Sequence, residues 1–265
     1  MTAARIPVLM YHRVGEANNA WEARYAISAA NFRAHMHALS RAGCHAVAID
    51  AVVDWLENGR ALPARAFLLT FDDGFRGVRE HALQVLEKLG WPCTVFLVSD
   101  LIGGEDVWTR KSNPSGQTYP LLDASELRDM QQRGCSFHSH SRSHANLPTL
   151  DDVDLADQLT GSRQVLSQLL GQEAKYFAYP FGQLDERVEA ATRAAGYRAA
   201  FSTQPGFNRL DVNPFRIRRL DIFGTDTPAM LLRKIRFGSN DGSLMHAARY
   251  YLDRLRRRLP GSDKP

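Results

Sequence analysis

Short apolar segments with strand character alternate with longer segments of helical period along most of the chain. Each short segment is rich in β-branched or aromatic residues, and a glycine ends several of the helical segments just ahead of the next strand. The predicted strands span residues 6–11, 45–49, 66–71, 93–98, 135–138, 175–179, 197–202 and 215–220. Seven or eight βα units predict an α/β fold, a distorted (β/α) barrel of about seven parallel strands, with an open doubly wound sheet as the alternative.

One long segment, residues 102–120, lacks a regular period. It reads as a surface loop rather than a linker between domains, because βα alternation resumes unchanged after it. Asp123 followed by Glu126 has the capping-box pattern that begins a helix, and Gly134 stands where that helix would end. We therefore expect residues 1–265 to form one domain that finishes in a basic helix at about 243–259.

Composition excludes several classes of protein. With 44% hydrophobic and 23% charged residues, the chain is neither disordered nor fibrous in character. The net charge of +4 is concentrated in residues 249–261, and no basic stripe interleaved with aromatic residues predicts nucleic-acid binding. Cys44, Cys93 and Cys135 lack a paired spacing, so we expect buried free thiols in a reducing compartment. The apolar stretch before His12 is too short for a signal peptide or a membrane span, which predicts either a cytoplasmic protein or a mature fragment.

Unusual polar residues and one short turn motif follow four of the predicted strands at their carboxyl ends. They are His12 after the first strand, Asp72 and Asp73 after 66–71, His140 and His144 after 135–138, and Pro180 and Phe181 after 175–179. In a parallel barrel these strand ends meet on one rim, where the catalytic groups of such folds lie. Taken singly, each feature is more often a turn, a helix cap, a surface histidine or a core histidine. Their convergence on one rim predicts a functional site.

These residue types suit a catalytic metal centre. The spacing of His140 and His144 would put both imidazoles on one face of a helical turn. One aspartate and two histidines are a common ligand set for Zn²⁺ or another first-row ion, with positions left open for water. The second aspartate would then be free to act as a general base.

Three motifs resemble those of a known family. Thr70–Gly74 (TFDDG), His140–His144 (HSRSH) and Ala178–Gly182 (AYPFG) are similar to the first three motifs of the polysaccharide deacetylases, also called NodB-homology domains or carbohydrate esterase family 4. The similarity covers about residues 5–240. It implies a distorted (β/α) barrel that removes N-acetyl, sometimes O-acetyl or formyl, groups from sugars with a bound divalent metal, most often zinc, with cobalt or nickel as alternatives.

The resemblance also assigns roles to residues. It makes Asp72 the general base and Asp73, His140 and His144 the metal ligands. The backbone N–H of Phe181 would be an oxyanion donor, on a turn fixed by Pro180. We also expect Tyr179 and Pro180 to contribute to substrate binding.

Departures from the family pattern carry further predictions. Many members have an arginine in the third motif where this chain has Ala178, so we expect Arg219 to orient the base, with Arg218 as a competitor. The segment VLMYH, residues 8–12, resembles the permuted branch typified by poly-N-acetylglucosamine deacetylases, in which the acid histidine comes first. We therefore predict His12 as the general acid, and treat His246, in a poor match to the usual last motif, as a surface residue.

Other positions leave alternatives open. His138 replaces a residue that is usually small, so it could crowd the metal site, support a ligand, or point to the opposite face of its strand. Trp108 and Tyr119, in the 102–120 loop, could stack on a sugar ring or pin the loop to the barrel. In the C-terminal helix, the face formed by Tyr250, Leu252, Leu255 and Leu259 could dock on an anionic membrane surface, at the inner membrane face, or pack on the barrel.

The predicted function is hydrolysis of N-acetyl groups on amino sugars of a polysaccharide or glycan precursor. Water activated by the metal would attack the amide carbonyl, with Asp72 as base and His12 as acid. The alternatives are an O-acyl esterase, deformylase or amidase acting on a lipid-linked or small-molecule substrate, and a glycan-binding protein without catalysis. The expected partner is an N-acetylated glycan.

Overall fold

The computed structural model of the protein describes residues 5–256, with side chains through Tyr251. Within that range the strands are β1 (Val8–Tyr11), β2 (Arg13–Val14), β3 (Ala26–Ile27), β4 (His45–Ala46), β5 (Ala66–Phe71), β6 (Cys93–Leu97), β7 (Cys135–Ser139), β8 (Tyr176–Ala178), β9 (Ala199–Phe201) and β10 (Leu220–Asp221). The α-helices are α1 (Ala29–Arg41), α2 (Ile49–Asn58), α3 (Leu83–Leu89), α4 (Ala124–Gln132), α5 (Asp152–Ala156), α6 (Ser162–Leu170), α7 (Glu186–Ala194), α8 (Pro228–Phe237) and α9 (Leu244–Arg256).

Seven parallel strands form the barrel, in the order β10-β1-β5-β6-β7-β8-β9, and β4 pairs with the first residues of β5. The segment after β9 joins the two edges of this sheet. Its Ile217 N–H donates to the carbonyl of Ala200 at 3.0 Å, and three residues later Leu220 pairs with Leu9 of β1. This contact curls the sheet into a single-domain distorted (β/α) barrel, which confirms the prediction and excludes the open sheet.

Alternation along the strands sorts the apolar side chains onto two faces. Val8, Leu68, Phe96, Tyr176 and Phe201 belong to one buried cluster, formed by side chains of the same parity on neighbouring strands. The opposite faces of the strands pack against the helices in a second cluster, which contains residues of α1, α3 and α4. Full burial of each such side chain is worth about 1.5–3 kcal/mol, so these two layers hold the strands in place.

Helix α2 covers one end of the barrel. Its Ile49, Val52 and Trp55 belong to the same cluster as the interior side chains of the strands. Asp50, also on α2, accepts a hydrogen bond of 2.6 Å from the hydroxyl of Tyr176, the first residue of β8. Since α2 occupies the end where the strands begin, the carboxyl ends of the strands are left open for a site.

Some predicted boundaries are confirmed and others shift. Asp123 accepts hydrogen bonds from two N–H groups of the first turn of α4, and Glu126 accepts one from Asp123, so the capping box is present. The predicted strand at 45–49 is shorter, because α2 begins at Ile49. The predicted strand at 215–220 appears as one paired residue, Ile217, followed by β10.

The cysteines are buried free thiols, as predicted. Cys93 and Cys135 lie opposite each other on β6 and β7, and their Sγ atoms are 3.2 Å apart.

Helix α9 packs on the end of α8. The ring centroids of Tyr250 and Phe237 are 4.8 Å apart, so this residue of the predicted face packs against α8, although Tyr250 stays 38% exposed. The side chains of Leu252 and Leu255, and the whole of Leu259, lie outside the described part of the chain. Among residues 5–256 no helix has the length and apolar composition needed to cross a bilayer.

Candidate active site

The carboxyl ends of the barrel strands open onto a cavity of about 350 Å³. The sequence-predicted residues that line it are His12, Asp72, Asp73, Trp108, Tyr119, His140, His144, Tyr179 and Phe181. Parallel pairing of the strands therefore brings together residues that are far apart in the sequence, as expected for the carboxyl ends of parallel barrel strands.

Three of these residues form a compact group of metal-ligand type. Asp73, His140 and His144 are buried, and each offers one ligand atom within 4.8 Å of the others. Oδ1 of Asp73 lies 3.3 Å from Nε2 of His144 and 3.5 Å from Nε2 of His140. In the described part of the chain this buried Oδ1 has no hydrogen-bond partner. One carboxylate oxygen and two imidazole nitrogens converging in this way fit a divalent metal ion.

The two histidines meet on an irregular turn, so the predicted helical turn is wrong. Ser141 and His144 both have left-handed backbone conformations, with φ of 68° and 60°. Side-chain hydrogen bonds define the turn instead: the Ser141 N–H donates to Oγ of Ser139, and the His144 N–H donates to Oγ of Ser141 at 3.0 Å. Asp73 is left-handed as well, with φ of 75°. Non-glycine residues held in this region cost free energy and often mark functional sites.

Burial and charge prepare Asp73 and His140 to bind a cation. Burial by itself raises the pKa of Asp73, but His144 and the other nearby histidines outweigh burial and lower the pKa to about 2. Burial lowers the pKa of His140 to about 4. At neutral pH Asp73 is therefore ionised and His140 is neutral, which are the forms that bind metal.

Asp72 is paired with a buried arginine. Nη1 of Arg219 donates to Oδ1 of Asp72 at 2.6 Å, and Nε of Arg219 donates to the carbonyl of Ser202 at 2.9 Å. The Arg219 side chain is 0% exposed, whereas its competitor Arg218 is exposed. Burial raises the pKa of Asp72, but the charge of Arg219 and of nearby histidines outweighs burial and lowers it. Arg219 thus supplies a buried positive charge to Asp72 in a chain whose third motif has Ala178 instead of an arginine.

His12 follows β1 directly and lines the cavity, half-buried, with its ring centroid 5.5 Å from that of Tyr25. It lies close enough to Asp72, Asp73 and Asp221 to affect the pKa of all three. His246 is on α9, next to Phe237 and Asp241, and does not line the cavity. The structure therefore brings His12, and not His246, to the site.

The turn after β8 shapes another wall. Phe181 has φ of 58°, lines the cavity and is 56% exposed. Tyr179 is buried, and its hydroxyl donates to the carbonyl of Phe215 at 3.1 Å. Pro180 is buried and supports the turn, but it does not line the cavity.

The long loop is fixed to a second loop between β2 and β3. The Tyr119 hydroxyl donates to the buried carboxylate of Glu22 at 2.6 Å, and the guanidinium of Arg13 lies over the Tyr119 ring at 3.6 Å. Tyr119 therefore pins the loop. Trp108 stacks on His144, with ring centroids 4.6 Å apart and an interplanar angle of 16°.

His138 lies one layer below the metal-ligand group. Its side chain is on the same face of β7 as His140, but it packs against Tyr176, with ring centroids 4.7 Å apart, and does not line the cavity. Both ring nitrogens are buried without a hydrogen-bond partner in residues 5–256, and burial lowers the pKa of His138 to about 3. It therefore belongs to the barrel interior and does not crowd the site.

The sequence reasoning missed several cavity residues. Trp21, Arg24 and Tyr25 come from the loop between β2 and β3, which carries no recognisable motif. Asp221 ends β10 and accepts a hydrogen bond of 2.7 Å from Asn240. Its position at a carboxyl strand end was the signal that could have identified it.

Comparison with known proteins places the chain in a family. The family model for polysaccharide deacetylase matches residues 59–200. YxkH of Bacillus subtilis is 24% identical over 219 residues, covering 83% of this chain and 72% of its own length. The poly-β-1,6-N-acetyl-D-glucosamine N-deacetylase of Staphylococcus aureus is 22% identical over 232 residues, covering 80% of this chain and 77% of its own.

Among solved structures, the Streptococcus pyogenes deacetylase PplD has the same fold, with a TM-score of 0.75 at 20% identity, covering 88% of this chain and 99% of PplD. The fold, the three motifs and the family match agree. The chain therefore belongs to the polysaccharide deacetylase family, and it is a hydrolase of carbon–nitrogen bonds other than peptide bonds.

Proposed function

We propose that this protein is a divalent-metal-dependent N-deacetylase that acts on amino sugars of a polysaccharide or glycan precursor. The observation that carries the proposal is the pairing of a metal-ligand group, Asp73, His140 and His144, with a separate buried carboxylate, Asp72, on the same rim. The name of the Staphylococcus aureus relative supports N-acetylglucosamine units as the substrate class.

Asp73, His140 and His144 would hold the metal, and their donor set suits Zn²⁺, with Co²⁺ and Ni²⁺ as alternatives. When bound, such an ion lowers the pKa of water towards about 7 and polarises an acyl carbonyl.

Asp72 accepts the proton of the attacking water in this proposal. A general base must be ionised before it acts, and the Arg219 guanidinium at 2.6 Å keeps Asp72 in that state despite its burial. Because Arg219 also bonds to the Ser202 carbonyl, its position is fixed from two sides. Asp72 is thereby held in one orientation towards the cavity.

Phe181 and His12 act on the other atoms of the amide. The N–H of Phe181 would donate to the oxygen that gains charge as the carbonyl carbon becomes tetrahedral, and the left-handed backbone at Phe181 sets the direction of this peptide. His12 would donate a proton to the nitrogen of the sugar as the carbon–nitrogen bond breaks. The products are acetate and a free amino sugar. Trp21 and Tyr25, with ring centroids 5.3 Å apart, offer apolar faces to the sugar rings.

Acetate release tests the proposal. Purified protein is incubated with β-1,6- and β-1,4-linked N-acetylglucosamine oligomers and with aryl acetates, before and after treatment with a chelator. We expect release from an amino-sugar oligomer that stops on chelation and returns with Zn²⁺, Co²⁺ or Ni²⁺. Release from aryl acetates alone would make the protein an esterase, and sugar binding without any release after metal reloading would make it a glycan-binding protein.

Two variants test the division of roles between the aspartates. Asp73→Asn should lose the metal, measured as bound metal per chain after gel filtration. Asp72→Asn should keep the metal and lose deacetylation. Equal metal loss in both variants would contradict this assignment.

A further inference from the structure

We propose that Trp108 is a positioning residue that fixes the orientation of the metal ligand His144, in place of the hydrogen bond that usually does so. The inference rests on the proposed metal site. This role differs from the two considered from the sequence, which were stacking on a sugar ring and pinning the loop to the barrel.

The two histidine ligands differ in how their rings are held. Nδ1 of His140 is 2.8 Å from the carbonyl of Ala178, and its Nε2 faces Asp73. Metal-binding histidines commonly use their second nitrogen in this way, which fixes the ring and its tautomer. His144 also turns Nε2 towards Asp73, but its buried Nδ1 has no hydrogen-bond partner among the residues that the structure describes.

Aromatic rings enclose His144 instead. The Trp108 indole is nearly parallel to the imidazole, at 4.6 Å and 16°. The ring of Phe181 meets it edge-on from a different direction, with centroids 4.4 Å apart and an interplanar angle of 79°. Rotation of the imidazole about its bond to Cβ would drive the ring edge into the indole, so stacking restricts the angle that a hydrogen bond would otherwise set.

The loop that carries Trp108 is itself held in place. Oγ1 of Thr109, the next residue, donates to Oδ2 of the buried Asp106 at 2.9 Å, and the Tyr119 N–H donates to Oδ1 of the same carboxylate. Tyr119 in turn reaches Glu22 across the cavity wall. The indole is therefore presented by a fixed loop, which lets it act on His144 as a rigid surface.

The test compares Trp108→Ala and Trp108→Phe with Trp21→Ala as the matched control. Trp21 is also a tryptophan that lines the cavity, but its described aromatic partner is Tyr25, not a metal ligand. The Kd for Zn²⁺ is measured by competition with a chromophoric chelator, and the visible absorption spectrum of the Co²⁺-loaded protein reports ligand geometry. Melting temperatures of the metal-free proteins show whether each variant is folded. KM is measured with an N-acetylglucosamine oligomer.

We expect Trp108→Ala to weaken Zn²⁺ binding by about 10- to 100-fold, the range found when a residue that orients a ligand is removed. The Co²⁺ spectrum should change, Trp108→Phe should recover most of the affinity, and Trp21→Ala should bind Zn²⁺ as the wild type does. A folded Trp108→Ala protein with unchanged Zn²⁺ affinity would overturn the proposal, whether or not its KM rises. Equal loss of affinity in Trp21→Ala would overturn it too. If instead Asp73→Asn and wild type bind Zn²⁺ equally, the proposed metal site itself fails, which is a separate result.

Discussion

Replacing Arg219 by methionine should reveal how strongly the fold depends on the ion pair with Asp72. Methionine is apolar and also unbranched, so it fills part of the space of the arginine. It leaves the Asp72 carboxylate, 3% exposed, without its countercharge. Removing one member of a buried pair costs about 3–5 kcal/mol. Because single domains are stable by about 5–15 kcal/mol, Arg219→Met should fold with a much reduced free energy of unfolding.

The loss should depend on pH in a definite direction. In the wild type the pKa of Asp72 lies below its ordinary value, so the ion pair stabilises the fold above that value and is lost as pH falls through the lowered pKa. In Arg219→Met the positive charge that counteracts burial is gone, so the pKa of Asp72 rises. Protonation of Asp72 at low pH then removes the cost of burying an unpaired carboxylate. The difference in unfolding free energy between the two proteins should therefore be largest at pH 7–8 and shrink towards pH 4. The acidic limb of the kcat/KM profile should move to higher pH for the same reason.

Urea denaturation and the pH dependence of kcat/KM are the assays. Asp72→Asn/Arg219→Met completes a double-mutant cycle, in which we expect the double variant to be more stable than the two single losses predict, by about 2–3 kcal/mol. Arg219→Lys keeps the charge and should place the acidic limb near that of the wild type. A coupling energy near zero, or an acidic limb that does not move in Arg219→Met, would refute the reasoning.

Three further predictions concern the site and the barrel interior beneath it. His12→Gln should lower kcat by about 10²- to 10⁴-fold without changing the bound metal, and metal loss would show that His12 has another role. His138→Phe should make the fold less sensitive to acid. Burial lowers the pKa of His138 from 6.5 to about 3, so between these pH values only the unfolded chain binds a proton at this histidine. In urea titrations the variant should therefore lose about 2 kcal/mol less unfolding free energy than the wild type between pH 8 and pH 5. An identical pH dependence would contradict this. At Gly182, φ is 66° and a Cβ would lie 1.9 Å from Oγ1 of Thr203, whereas Gly171 has φ of 65° and nothing within 4 Å. Gly171→Ala should therefore cost only about 1 kcal/mol, and Gly182→Ala should cost more and lower kcat/KM; equal effects would rule out the clash.

The fold and the rim of the site follow from local patterns. Apolar strand-like runs and their spacing indicate parallel strands, and parallel strands bring their carboxyl ends together, which is why His12, Asp72 and His140 could be assigned to one site from the sequence. The turn between His140 and His144 could not, because two hydrogen bonds from backbone N–H groups to serine hydroxyls, rather than helical period, define it. The stacking of Trp108 on His144 depends on where a long loop folds back, and loop paths carry no periodic signal.

The segment that closes the barrel determines when the ion pair between Asp72 and Arg219 can form. The three residues of the metal-ligand group lie within residues 73–144, but the arginine that pairs with Asp72 is 147 positions further along the chain than Asp72. Arg219 lies between Ile217, bonded to β9, and Leu220, paired with β1. A chain emerging from the ribosome thus carries Asp72 and the three proposed ligands well before it carries the arginine that pairs with Asp72. In the mechanism proposed above, deacetylation therefore requires the final strand to dock, so catalytic activity would report that the barrel has closed.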